Sequence, residues 1–531
     1  MSDARQSGLL AHITSLPSPY GIGDLGDGAY AFADRLASAH QQLWQVLPTG
    51  PTGPSGSPYS SRSTFAGSPL LISPTPLLDA GLVTEDEVAP LRALPADRVD
   101  YHAVYEHKTR MLTAAFERFD NASATAQTEF ARFRNRAAHW LDDYVLYRAL
   151  RSAHGGVPWT EWPAPLARYD DDAIAAARDE YETDCRKHAF WQFLFFRQWN
   201  TLKAYCAQRD IQFFGDLPIY VAHDSADVWA NQELFRLDAD GQPTAVAGVP
   251  PDYFSPEGQR WGNPLYRWDK MAERDFAWWT RRMSHVLDQV DLLRLDHFRG
   301  FDAYWAIPST AETAVDGHWE DGPGASFFAH LQQELGTLPI VAEDLGDITD
   351  SVYELRDAFN LPGMVVLQFA FETDADNIFL PHNYPRNTVA YTGTHDNNTL
   401  QGWWHDDATT REKEYARTYL DLEHAPSVEY EAQRMLWASA ADRVVIPVQD
   451  VVGLGSDARM NVPGTDTGNW SWRMPEALLD HDGFDRLRSW TQAYGRAPSS
   501  DSTEVDSTEA DKSSTPKDAE ASASSSDASE P

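Results

Sequence analysis

The sequence predicts an α/β fold, a (β/α)₈ TIM barrel with helical insertions between strands 2 and 3, followed by a disordered acidic C-terminal tail. Two observations carry that expectation. Short apolar runs closed by polar residues or by Gly and Pro recur eight times, and helix-like segments lie between most of them. A third observation sets the insertion apart: the stretch from about 68 to 210 is rich in helix formers and contains no such run before its end.

The elements follow in order. The first run is GLLAHITSLPSP (8–19) and the second QLWQVLPTGPTG (42–53), with the helical pattern DGAYAFADRLASAH (27–40) between them. AVYEHKTRMLTAAFERF and ARFRNRAAHWLDDYVLYRAL then mark the helical insertion, and HAFWQFLFFRQWNTLKAYCAQRD (188–210) leads into the third run, IQFFGDLPIYV (211–221). The remaining five are LLRLDHFRG (292–300), LPIVAEDLG (338–346), GMVVLQFAF (363–371), TVAYTGTHDN (388–397) and RVVIPVQDVVGLG (443–455). The barrel with its insertion is expected over 1–496. The segment 497–531 has no aromatic residue and carries nine acids against two Lys, too little apolar surface to offset chain entropy, so it is expected to be disordered.

Composition narrows the function. The net charge is −37, from 80 Asp plus Glu against 43 Lys plus Arg, and only seven of the basic residues are Lys. Such a surface repels nucleic acid and anionic membranes at ordinary salt. It suits concentrated salt, where screening within about 3 Å at 1 M removes the self-repulsion, so a halophile's cytoplasm is expected. Cys185 and Cys206 lie apart from other ligand-type residues, which fits a reduced compartment better than a disulfide framework. The first residues lack the basic and apolar pattern of a signal peptide, and no uncharged apolar run reaches about 18 residues, so no spanning helix is expected.

In a barrel of this kind the reacting groups sit at the carboxyl ends of the strands. Three runs end in acids there: Asp296 on the fourth, Glu343 on the fifth and Asp396 on the seventh. A single acid at a strand end is more often a helix cap, and Asp344 beside Glu343 is a candidate for that duty. Three on one rim are harder to dismiss. Arg294 and Asp296 lie two residues apart on one strand and so share a face, which favours the ionised form of Asp296. Glu343 has no basic neighbour in sequence, and burial would keep it protonated. That division makes Asp296 a nucleophile and Glu343 an acid, the pair that cleaves glycosidic bonds. Retaining enzymes hold such carboxyls about 5–5.5 Å apart, compatible with strands about 4.8 Å apart. A plain ion pair would explain Arg294 and Asp296 but would leave Glu343 and Asp396 as coincidence.

His395 beside Asp396 is also a fragment of a metal site or a triad. No HExxH, paired Cys or GxSxG accompanies it, so contacts to sugar hydroxyls fit better. Around these residues, AVAGVPPDYFSPEGQRWGNPLYRW (245–268) reads as a loop whose Tyr253, Phe254 and Trp261 can stack on sugar rings while Asp252 and Asn263 read hydroxyls. Any one of those aromatics is equally readable as core. A second Gly/Pro/Ser loop, 49–69, carries Tyr59 to the same rim.

Taken together, RLDHFRGF, VAEDLG, TGTHDN, SPYSSRSTFAGSP, GVPPDYFSPEGQRWGNPLYRW and RMNVPGTDTGNWSWR resemble the 4-α-glucanotransferases (amylomaltases) of glycoside hydrolase family 77. The resemblance runs from about residue 8 to 495. It implies a nucleophile at Asp296, an acid/base at Glu343, and Asp396 on the 2- and 3-hydroxyls. It further implies donor-sugar support from Arg294 and His395, rim contacts to glucan from Tyr59, Asp252, Phe254 and Trp261, and a substrate-side carboxylate at Asp216. The partners so implied are maltooligosaccharides and other α-1,4-glucans, with no cofactor or metal, and a cytoplasmic monomer is expected.

Overall fold

The computed structural model describes residues 5–53, 55–119, 122–251, 255–465 and 467–498. The expected tail at 497–531 therefore lies outside the described residues except for Ala497 and Pro498, as do the expected contact residues Asp252, Tyr253 and Phe254.

Twelve strands occur among the described residues: β1 (Gln6–Leu10), β2 (Leu43–Gln45), β3 (Gln212–Pro218), β4 (Ala245–Val249), β5 (Gln259–Pro264), β6 (Leu292–Asp296), β7 (Ala303–Pro308), β8 (His318–Asp321), β9 (Ile340–Ala342), β10 (Gly363–Val366), β11 (Thr388–Tyr391) and β12 (Arg443–Pro447). Eight of them form one parallel sheet in the order β10-β11-β12-β1-β2-β3-β6-β9. Each of the eight apolar runs supplies one of these strands.

The period-two alternation explains why the sheet curls. Leu10, Leu43, Phe214, Leu292, Val341, Met364, Val389 and Val445, one from each strand, meet in a single interior cluster. Their neighbours in sequence, such as Leu9, Trp44, Phe213, Leu293 and Val444, pack outward against the helices. Arg294 and Asp296 follow Leu292 at spacing two, so both point inward at the top of the barrel. The seven-residue β3 puts Asp216 two places after Phe214, on the same inner face and in register with Arg294.

The seam between β9 and β10 lacks a paired ladder and is closed in another way. The Ala342 amide donates to the Pro362 carbonyl at 2.8 Å, and the Met364 amide donates to Asp344 Oδ1 at 2.8 Å. Asp344 also pairs with Arg356 at 2.6 Å. This corrects the helix-cap expectation: the next helix starts at Asp350 after Thr349, and Asp344 works as a barrel staple. Gly363 is required beside it, since a Cβ there would lie 2.4 Å from Asp344 Oδ2. Replacing Asp344 with Ala strands the buried Met364 amide and removes one of the two carboxylates that Arg356 pairs with. A loss of about 3 kcal/mol in urea unfolding is expected, with Asp344→Asn recovering part of it because an acceptor remains.

Between β2 and β3 the chain is helical, as expected. A long pair, Ala124–Ala153 and Glu182–Ala207, packs through phenylalanine rings such as Phe130 and Phe193, 5.6 Å apart. The second of these helices also belongs to the barrel, because Trp199 lies 4.8 Å from Phe213 of β3. The segment 245–268, read as a loop, is instead a hairpin. Strands β4 and β5 join β7 and β8 in an antiparallel sheet of order β5-β4-β7-β8. Its Gly and Pro residues hid the alternation. Gly248 has to be Gly, since a Cβ there would meet the Gln259 carbonyl oxygen at 2.1 Å.

Candidate active site

The inner faces of β3 and β6 converge on one guanidinium. Arg294 Nη1 lies 2.9 Å from both oxygens of Asp216, and its Nη2 lies 2.7 Å from Asp296 Oδ1. Burial works against the charge of Arg294, yet Asp216 and Asp296 hold its pKa well above the ordinary arginine value. The two carboxylates are not equivalent. The Asp216 side chain has no exposed surface, whereas that of Asp296 is 27% exposed. Both oxygens of Asp216, which the resemblance places on the substrate side, face Arg294. The carboxylate's remaining acceptor capacity goes to the Tyr59 hydroxyl, which donates to Oδ2 at 2.6 Å. Burial pushes the Asp216 carboxyl up and Arg294 draws it back. Burial, reinforced by Asp216, keeps the Tyr59 phenol protonated.

Glu343 stands just past the end of β9, beside β6. Its Oε2 accepts from the His297 amide at 2.8 Å and its Oε1 from the Leu345 amide at 3.0 Å. The first of these donors is the residue directly after Asp296, which brings the two carboxyl groups to adjoining positions on the rim. His297 reaches that geometry through a left-handed backbone, φ 54° and ψ 50°, uncommon for a residue other than Gly. Burial pushes the Glu343 carboxyl up to about 7, Arg294 opposes the shift and Asp296 adds to it. Burial also pushes the His297 imidazole down to about 4, so the ring is neutral at neutral pH. Trp261 of β5 stands edge-to-face with that ring at 4.9 Å and is 39% exposed.

Asp396 enters from the loop after β11, with a side chain 45% exposed beside a buried His395 whose Nε2 is 3.5 Å from Asp396 Oδ1. Asn461 Nδ2 donates to Asp396 Oδ1 at 2.6 Å, and Arg459 donates to the Asp396 carbonyl at 2.7 Å. Tyr59 stacks on His395 with ring centroids 5.1 Å apart, and Trp470 lies 5.8 Å from His395. Asn263 is on β5, where its Nδ2 donates to the Val221 carbonyl at 2.9 Å. That bond braces the hairpin against the end of β3, a structural task the sequence did not suggest.

Part-exposed carboxyls at Asp296, Glu343 and Asp396, with a protonatable Glu343 and aromatic side chains at Tyr59 and Trp261, are groups suited to acid-assisted displacement at an acetal carbon. A family profile described as 4-alpha-glucanotransferase, glycoside hydrolase family 77, matches residues 11–479. The chain belongs to the 4-alpha-glucanotransferase family. Within it, the Thermus thermophilus 4-alpha-glucanotransferase is 48% identical over 500 residues, 93% of this chain and 99% of that protein. A 4-alpha-glucanotransferase of Solanum tuberosum, chloroplastic/amyloplastic, is 42% identical over 93% of this chain and 87% of its own. The structure of Streptococcus agalactiae amylomaltase in complex with acarbose superposes with a TM-score of 0.90 at 38% identity, covering 93% of this chain and all of that one. Family membership makes this chain a transglycosylating enzyme of glucan metabolism.

Sequence reasoning missed Asn461, Arg459 and Trp470 as parts of the site. All three lie in or beside the quoted run RMNVPGTDTGNWSWR, but nothing in its spacing ties Asn461 to an acid 65 positions away. The His297 amide was also missed, because a backbone donor leaves no mark on residue type.

Proposed function

We propose that this 4-alpha-glucanotransferase moves a segment of an α-1,4-glucan to the 4-hydroxyl of another glucan or of glucose by retaining double displacement. Glu343, protonated in the resting enzyme, gives its proton to the glycosidic oxygen as the bond breaks. Asp296 closes on the anomeric carbon to form a glycosyl ester, and the reducing-end fragment departs with the proton. Glu343, now ionised, takes the proton from the acceptor's 4-hydroxyl, and that oxygen displaces Asp296 with the α-configuration restored. Asp396 and His395 hold the donor sugar's 2- and 3-hydroxyls, and Trp261 stacks on a ring at the cleft.

The observation that supports this reading most is the asymmetry of the two carboxyls. Asp296 is bonded to a guanidinium, while Glu343 is bonded to two neutral backbone amides and carries a pKa of about 7. One is furnished as a nucleophile and the other as a proton carrier. Transfer then wins over hydrolysis when an oriented acceptor outcompetes water, since effective molarities of well-placed groups reach about 10⁵ M or more against roughly 55 M water.

We further propose that the enzyme works as a monomer in a salt-rich cytoplasm, on the strength of its net charge of −37. Among the described residues no helix is long and apolar enough to cross a membrane. One experiment addresses both proposals: incubation with maltotriose across a KCl series. Glucose plus a ladder of longer maltodextrins, with activity and melting temperature rising with KCl, is expected. Short sugars alone would mean hydrolysis, and full stability at low salt would remove the halophilic reading.

A further inference from the structure

The loop that carries His395 and Asp396 is held at both ends by one buried side chain that belongs to neither strand around it. Asp450 lies in the short helix Val448–Val451 that follows β12, and it is 1% exposed. Its Oδ2 accepts from the Thr392 hydroxyl, just before the loop, and its Oδ1 accepts from the Leu400 amide at 2.7 Å, just after it. Its own carbonyl accepts from Gln433 Nε2 at 2.7 Å, which fixes the residue in turn. We propose that Asp450 is a positioning residue for catalysis: by gripping residues 392 and 400 together, its carboxyl sets the path of the intervening loop and hence the place of Asp396 in the cleft.

The geometry of the loop supports this. Between the two gripped residues it folds on itself, with the Thr394 amide and hydroxyl both donating to Asn397 Oδ1 at 2.9 Å. On the opposite side Gln368, just after β10, donates through Nε2 to the Asn398 carbonyl at 2.8 Å. Asp396 itself meets Asn461 and Arg459 from outside the turn, and His395 beside it. The loop is thus a compact turn tied along its length by Gln368, Asn461 and Arg459, and the Asp450 carboxyl joins the residue before it to the residue after it. Asp450 is too deep to meet substrate. Burial pushes its carboxyl up to about 6, the bonds from Leu400 and Thr392 oppose that shift, and the nearby charge of Glu429 adds to it. A carboxyl kept in so unfavourable a place is held there by what it accepts.

The inference rests on the reading of Asp396 given above, and the test separates the two. For maltotriose disproportionation, Asp450→Ala is expected to lower kcat about 30- to 100-fold, the scale of a misplacement of about 1 Å. KM should stay within about threefold, because most of the cleft is untouched. Asp450→Asn should recover most of the loss: its Oδ1 still accepts from Leu400, and the Thr392 hydroxyl turns to accept from the new amide. Should Asp450→Ala fail to fold, Thr392→Val decides, since it removes one half of the grip with a side chain of the same shape; a fall of about fivefold or more in kcat is expected. A folded Asp450→Ala with unchanged kcat, an Asp450→Asn no better than Ala, or an unchanged Thr392→Val would overturn the inference. Asp396→Asn is run alongside: if it keeps full kcat, the reading of Asp396 fails, whereas an inactive Asp396→Asn beside a fully active Asp450→Ala sinks the positioning role alone.

Discussion

Asp296→Asn is expected to lower kcat for maltotriose disproportionation by about 10⁴-fold or more while leaving KM within a few-fold of the parent enzyme. The substitution keeps the shape of the side chain and one oxygen that can accept from Arg294 Nη2, now 2.7 Å from Asp296 Oδ1. Arg294 does not become an orphan charge, because Nη1 still rests on both oxygens of the fully buried Asp216. The fold and the sugar contacts should therefore survive. An amide oxygen, however, cannot form and release a glycosyl ester at a useful rate, and 10⁴-fold corresponds to about 5.5 kcal/mol of lost transition-state stabilisation. Glucose release followed over hours measures it. A residual rate above about one per cent would exclude Asp296 as the nucleophile and leave the Arg294–Asp296 pair as a structural clasp. A secondary effect should accompany the loss. The charge on Asp296 helps to hold the Glu343 pKa up, so its removal should move that pKa downward.

How far the site could be read in the sequence follows from which contacts are local. That Arg294 and Asp296 share a face needs only the period of a strand, and the structure adds that the face is the barrel interior, where Leu292 begins the same row. The eight runs are legible because each must fill the interior with one set of side chains and the helix layer with the other. The partner that completes the Arg294 clasp was not legible as such. Asp216 stands 78 positions away, and its role depends on β3 and β6 lying side by side in a register that brings it opposite Arg294. The resemblance offers it as a substrate-side carboxylate, but its bonds to Arg294 and Tyr59 are a tertiary property. The same holds for Asn263, whose amide goes to the backbone at Val221. The antiparallel sheet was hidden for another reason. Its first strand contains Gly248 and is followed at once by the Pro250–Pro251 pair, so local propensity argues for a loop while pairing with β7 makes a strand.

The clasp also explains why this cleft can hold several acids so close together. Asp216, Asp296 and Glu343 would repel one another if all were ionised. One guanidinium bridging Asp216 and Asp296, together with a proton on Glu343, leaves a single net negative charge among these four groups. The proton that catalysis requires is thus also the one that electrostatics favours.

That coupling makes Glu343 the second site of large effect. At the optimum pH Glu343→Gln is expected to cost about 10³-fold or more in kcat with maltotriose, since general acid and base assistance are lost in both halves of the reaction. With a maltosyl donor whose leaving group needs no proton, such as a fluoride, the first half should be largely restored, so that the glycosyl ester on Asp296 accumulates and can be detected by mass spectrometry. The pH dependence follows from the same carboxyl. The acid form is the competent one for bond cleavage, so kcat/KM of the parent enzyme should fall as pH rises through about 7, and this limb should be absent for the activated donor. Stability should move in the opposite sense to the usual carboxylate. Because the folded pKa is raised, the contribution of Glu343 is fully present below the unfolded value of about 4.3 and is lost as pH rises through about 7. Gln carries no such charge. Glu343→Gln should therefore match the parent in urea unfolding near pH 4.5 and exceed it by on the order of 3 kcal/mol at pH 8. A stability difference that does not change with pH would mean that Glu343 is ionised in the resting fold, with Arg294 outweighing burial and Asp296, and the proton carrier would have to be sought elsewhere in the cleft.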